Sequence, residues 1–127
     1  MTIIGHGVDV IACHRVQEVI DRHGQRLLDR LFTKPEQAYC RKHRHPSERF
    51  AGRFAAKEAV LKVLGTGWRN GIAWTDVEII NDPLGRPEVT LGGHVAQTAG
   101  RMGIAQVLLS ISHTHEYAVA SAIGVSE

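Results

Sequence analysis

Residues 53–67, RFAAKEAVLKVLGTG, constrain what this chain can fold into more than any other stretch. They read as most of one helix, capped at the front by Ser47 after Pro46 and stopped by Gly65. At about 100° per residue, Phe50, Ala51, Phe54, Ala55, Ala56, Ala59, Val60, Leu61, Val63 and Leu64 fall on every side. A helix that is apolar all round is a buried helix, so the rest of the chain must wrap it. Yet it carries Glu58 and Lys62, four residues apart on one side, and Arg53 and Lys57, four apart on another. Charged side chains are rarely fully buried unless they are paired or serve a site. Two readings follow. Either Glu58 and Lys62 form an internal ion pair while Arg53 and Lys57 reach solvent on long stems, or the charges belong to a functional site.

A wrapping of that kind fits in 127 residues, which is one domain over 1–127 with a real core. No apolar run approaches the roughly 20 residues that span a bilayer, and the first residues lack the layout of a signal peptide, so no membrane role is expected. Cys13 and Cys40 are isolated and read as reduced core fillers in a cytoplasmic chain. The formal net charge of +2 hides an asymmetry: residues 14–53 carry +5 and the remainder −3. A basic segment of this kind suggests an acidic partner.

Residues 2–11 read as a strand whose Gly5, Gly7 and Asp9 share one face, a bare backbone surface that a ligand could approach or a glycine bulge. Residues 14–23 form a short helix with Val16, Val19 and Ile20 inward and Arg15, Glu18 and Arg22 outward, ending at Gly24. Leu27, Leu28, Leu31 and Phe32 give a second helical stripe. Thr33 and Glu36 then make a capping-box pattern around Pro35. Beyond Gly67 the pattern turns to β: a strand over 72–80, a turn over 81–87, and a partner strand over 88–91. A short helix follows Gly92 and Gly93. Two alternating strands close the chain, joined by a turn at 113–116 that would scatter His113 and His115. Early helices and late hairpins argue for an α+β fold, mainly antiparallel sheet packed around a long central helix.

Asp9 and Glu58 are two carboxylates placed where water is scarce. Oxygen ligands of this kind suit Mg²⁺, which takes one or two protein carboxylates and completes its shell with phosphate and water. The loop Gly65-Thr66-Gly67 offers backbone N–H groups to phosphate, although the helix dipole at that end opposes an anion. Lys57, Lys62 and Arg53 are the cations that could supply the attraction. Two acids, a metal and a row of cations are the equipment of phosphoryl or pyrophosphate chemistry. The eight histidines form no zinc-type spacing.

These motifs, in this order, resemble the holo-acyl-carrier-protein synthase family, the small phosphopantetheinyl transferases of bacteria, over nearly the whole chain. Gly5-x-Gly7-x-Asp9 followed by Arg15 is similar to the first family motif, and RFAAKEAVLKVLGTG to the second. Gly85-Arg86-Pro87 and Ser110-Ile111-Ser112-His113-Thr114, the latter followed by Glu116-Tyr117-Ala118, resemble the others. His6 and Ala12 depart from the pattern, which often has an apolar residue or Thr at the first position and an acid at the second. The resemblance implies a phosphopantetheinyl transferase-like fold and transfer of phosphopantetheine from coenzyme A to a serine of acidic apo-acyl carrier protein. It also implies release of adenosine 3′,5′-bisphosphate, in support of fatty-acid or polyketide synthesis. Asp9 and Glu58 would hold Mg²⁺, Glu58 would act as base, and Lys62 would steady the leaving phosphate. Arg53, His113 and Gly65-Thr66-Gly67 would bind coenzyme A, while Arg15 and Arg22 would face the carrier. A homotrimer with sites between subunits is implied as well.

Two other classes compete. One is a nucleic-acid-binding module using residues 41–53, which is poorly supported because aromatics make up only 6% of the chain. The other is a structural oligomer with an inert buried ion pair.

Overall fold

The computed structural model describes residues 1–67 and 71–127. Strand β1 (Ile3–Ala12) leads into helices α1 (Cys13–Leu31), α2 (Lys34–Arg41) and α3 (Pro46–Leu64). A 3-10 turn at Trp74–Asp76 precedes the hairpin of β2 (Val77–Asn81) and β3 (Pro87–Leu91). Helix α4 (Gly93–Arg101) and strands β4 (Gln106–His113) and β5 (Tyr117–Val125) complete the chain. β5 lies between β1 and β4 and is antiparallel to both, while β2 and β3 form a separate antiparallel pair. The α+β class with antiparallel sheets is as the sequence implies.

Helix α3 is the centre. Its Ala55, Ala59 and Val60 pack with Ala120 and Ala122 of β5, and small side chains on both surfaces bring helix and sheet close together. The glycines of β1 carry this further. A Cβ on Gly7 would lie 2.1 Å from the Ala59 carbonyl oxygen, and one on Gly5 2.6 Å from that of Val63. The glycine face is therefore filled by the backbone of α3, and the expectation that a ligand approaches it is corrected.

Three further expectations change. Helix α3 starts at Pro46 with His45 as its N-cap, so Ser47 sits inside the first turn and does not cap it. Proline at the first position already has helical φ and needs no N–H partner, which allows a start two residues earlier. The strand expected over 72–80 begins only at Val77, because Trp74–Asp76 form a helical turn. Most consequential, Arg53 and Lys57 do not reach solvent: they are 3% and 0% exposed. Lys57 Nζ donates to Glu36 Oε1 at 2.8 Å, to the Val77 carbonyl at 2.5 Å and to the Trp74 carbonyl at 3.1 Å.

Other local features match the sequence. The capping box forms, with Thr33 and Glu36 exchanging hydrogen bonds at 2.9 and 3.4 Å. Gly24 breaks α1 at φ 65°, ψ −150°, a conformation open to glycine, so its two halves meet at a kink. Cys13 and Cys40 are free and buried, and burial pushes the Cys40 thiol up to about 12.

Gly7→Ala is expected to lower stability by at least about 1–3 kcal/mol, because the backbone of α3 must move away from β1. Gly100→Ala, in α4 with nothing within 4 Å of the added Cβ, is the control and should be neutral or stabilising. Urea midpoints of the two variants check this; equal midpoints would remove the close approach.

Candidate active site

Asp9 lies on the face of β1 that meets α3, and the close approach made by Gly7 brings it towards Glu58. Both carboxylates line a groove of about 540 Å³ between β1, α1 and α3. Arg15 of α1 also lines it, and Val16, Val19, Ile20, Leu27 and Phe54 make most of its wall apolar. Val19, expected to face the core, is instead 41% exposed at this groove. Lys62, one turn beyond Glu58, turns to β1: its Nζ donates to the Val8 carbonyl at 2.8 Å and to Asp9 Oδ1 at 3.2 Å. The ion pair that forms is thus Lys62–Asp9, on a half-exposed lysine, where such pairs add little stability. Burial, and then the neighbouring Asp9 charge, push the Glu58 carboxyl above the ordinary glutamate range, while Lys62 partly offsets them. Two neighbouring carboxylates, one of them partly desolvated, attract a cation. Among the described residues no group of three or more His, Cys, Asp and Glu could hold a metal by itself. Asp9 and Glu58 therefore fit Mg²⁺ whose remaining positions are filled by substrate phosphate and water, and fit poorly a metal that needs a full protein cage.

The second cluster lies around the other side of α3. Arg53, Tyr39, Arg49, Glu48, Asn81, Gly85 and His113 line a small polar pocket of about 120 Å³. The Arg53 guanidinium sits 4.1 Å over the Tyr39 ring, and Nη2 donates to Asn81 Oδ1 at 2.5 Å. Its Nε is buried without a partner, and among the described residues no carboxylate lies within ion-pair distance of it. Desolvation pulls its pKa down, as expected for a buried positive charge not fully compensated. Such a charge is built to receive an anion. His113 and His115, expected to be scattered by the turn, instead converge: their Nδ1 atoms lie 3.1 and 3.2 Å from the two oxygens of Glu48. The bond to His115, followed by that to His113, holds the Glu48 carboxyl below the ordinary range.

The chain thus brings Asp9, Glu58, Lys62 and Arg15 together, and separately Arg53 with His113. Gly65, Thr66 and Gly67 line neither pocket. Twelve residues of helix, about 18 Å, separate Gly65 from Arg53. Arg22 is exposed on α1 outside the groove. Lys57, a candidate phosphate cation, is excluded from that role because its protons are used inside the core. Sequence reasoning missed Glu48, Asn81 and Tyr39. Glu48 had one signal, an acid in the first turn of a helix, but that is common; the other two had none.

The same arrangement of elements occurs in solved phosphopantetheinyl transferases. The holo-[acyl-carrier-protein] synthase of Neisseria meningitidis superposes with a TM-score of 0.89 at 30% identity, covering 98% of this chain and 100% of that one. The Bacillus anthracis enzyme, in complex with CoA (3′,5′-ADP), gives 0.81 at 32% identity with 100% of both chains covered. The holo-[acyl-carrier-protein] synthase of Protochlamydia amoebophila is 48% identical over 94% of this chain and 96% of its own. Residues 5–122 match the family described as the 4′-phosphopantetheinyl transferase superfamily. The chain belongs to that superfamily, in its holo-[acyl-carrier-protein] synthase branch, and is a transferase.

The raised Glu58 pKa has a measurable consequence. Below the ordinary glutamate range Glu58 is protonated in both folded and unfolded chains and costs nothing. As pH rises from that range through the higher folded-state value, the unfolded chain ionises first and stability falls; above both values the cost is complete. Glu58→Gln should therefore raise the melting temperature in metal-free buffer at about pH 8 and have less effect near pH 4. A difference independent of pH would refute the assignment.

Proposed function

We propose that this chain transfers phosphopantetheine from coenzyme A to a serine hydroxyl of apo-acyl carrier protein, releasing adenosine 3′,5′-bisphosphate, in a Mg²⁺-dependent reaction. The observation that carries this reading is the pairing of Asp9 and Glu58, with Lys62 beside them, in one groove of a chain that belongs to this superfamily. The serine oxygen forms a bond to the β-phosphorus of coenzyme A, the bond from that phosphorus to the bridging oxygen breaks, and the serine proton passes to Glu58 directly or through a water. Lys62 stabilises the leaving phosphate. Bound between Asp9 and Glu58, Mg²⁺ would supply neutralisation of pyrophosphate charge. Arg53 and His113 hold a nucleotide phosphate, and Gly65-Thr66-Gly67 offers backbone donors to the same substrate.

The two clusters lie on different sides of α3, so a single coenzyme A would have to wrap the helix to meet both in one copy. A homotrimer that joins the Asp9–Glu58 groove of one copy to the Arg53 pocket of the next resolves this. The outward face of the three-stranded sheet supports it: Ile4, Val8, Val10, Leu108 and Val119 are exposed there, an apolar surface suited to a second copy. The enzyme then works as a single-domain protomer in the cytoplasm, serving fatty-acid or polyketide synthesis. Among the described residues no helix is long and apolar enough to cross a membrane. Nucleic-acid binding by residues 41–53 has less support, since Arg41 is bonded to Gln25, Arg49 reaches Tyr39 and Arg53 is buried.

Incubation with apo-carrier, coenzyme A and Mg²⁺ should add the mass of phosphopantetheine to the carrier. Excess chelator should abolish the shift, and Asp9→Ala should cost about a thousandfold or more in rate, as loss of a metal contact in the transition state requires. Full turnover in chelator would overturn the metal role.

Carrier docking is assigned to Arg15, at the groove, and Arg22, exposed seven residues on. Reversing both, Arg15→Glu with Arg22→Glu, should raise KM for the acidic carrier about tenfold, and Arg22→Glu alone, outside the groove, should raise it while leaving that for coenzyme A unchanged. Added salt should act on the wild type in the same direction, because exposed charges are screened beyond about 10 Å at 0.1 M. An unchanged carrier KM in steady-state kinetics would remove α1 from the docking surface.

A further inference from the structure

Two carboxylates stand near Arg53, and both are committed elsewhere. Glu36 receives Lys57 at 2.8 Å and the Ile79 N–H at 3.0 Å, while Glu48 meets His113 and His115. What Arg53 bonds instead is a neutral amide. Asn81 Oδ1 accepts from Nη2 at 2.5 Å, and Asn81 Nδ2 donates to the Gly85 carbonyl at 2.9 Å. The amide is held at both ends, by α3 and by the turn over 81–87. That turn is itself tied, for Asp82 Oδ1 accepts from the Leu84 and Arg86 N–H groups at 2.9 and 2.8 Å. Tyr39 sets the plane of the guanidinium from the other side.

An amide oxygen orients a guanidinium without cancelling its charge, whereas a carboxylate in the same place would pair with it and use up its fork. The reacting pyrophosphate belongs with Asp9, Glu58 and Lys62, so the group that reaches Arg53 is a separate phosphate of the nucleotide. Coenzyme A has one other, the 3′-phosphate monoester. We infer that Asn81 is a positioning residue and specificity determinant: its neutral amide keeps Arg53 oriented and electrostatically free for a phosphate monoester dianion. This rests on the coenzyme A reading above.

Calorimetric titration of the full chain with adenosine 3′,5′-bisphosphate and with adenosine 5′-monophosphate tests it. The wild type should prefer the bisphosphate. Asn81→Asp should weaken bisphosphate binding about tenfold or more and remove that preference; the ion pair gained with Arg53 and the donation lost to the Gly85 carbonyl act on stability in opposite directions, so the nucleotide preference is the deciding readout. Asn81→Ala, which loses orientation but adds no charge, should fall between, and in turnover should raise KM for coenzyme A more than it lowers kcat. A merely structural role would lower the melting temperature and leave the preference intact. Retention of the wild-type preference in either folded variant would overturn the inference while the function stands; a wild type that binds neither nucleotide would overturn both.

Discussion

The carboxylate of Glu36, fully buried, is the point on which the fold turns. Its Oε1 closes the capping box of α2 by accepting the Thr33 N–H and also receives Lys57 from α3, while Oε2 accepts the N–H of Ile79 in the hairpin. Lys57 spends its other protons on carbonyls at either end of the segment entering β2. One ion pair thereby ties α2, the central helix and the hairpin. Burying two charges costs several kcal/mol, and the pair offsets this only because nearly every lone pair and proton is used. Removing one partner would leave the other stranded, a loss of about 3–5 kcal/mol.

That anchoring determines what the rest of α3 can present. With Lys57 locked inward, the charged side chains beyond the first turn of α3 point in two directions. Glu58 and Lys62 turn towards β1 and Arg53 towards the turn over 81–87. Neither cluster is at an electrostatic minimum. Glu58 sits beside Asp9 in a mostly apolar groove, and Arg53 is desolvated beside an amide where an acid would stabilise it better. Both departures are unfavourable for stability and favourable for binding a metal-bridged phosphate in one place and a phosphate anion in the other. Unpaired charge of this sort is commonly found at functional sites.

Much of this was legible in the chain. The apolar-all-round pattern over 50–64 announced a central buried helix, and the Thr33–Glu36 spacing announced the cap of α2. The alternation in the last strands announced antiparallel pairing. Asp9 and Glu58 stood out because an isolated acid in an apolar context is costly unless used. The glycines of β1 were legible as special, but their purpose was not: whether a bare strand face admits a ligand or a helix backbone depends on what packs there.

Local periodicity and residue chemistry therefore determined most of the elements and their order, and the resemblance of contiguous motifs pointed to the family, since helical and β patterns, caps and motifs involve neighbours within a few residues. Tertiary structure alone decided which charges were spent. Arg53 and Lys57 look alike in sequence, four residues apart on one helix face, yet Lys57 meets Glu36 from 21 residues away and Arg53 meets Asn81 from 28. The difference between a structural cation and one left available for an anion lies in those distant partners. Chain packing brings them into contact, and no local pattern encodes it.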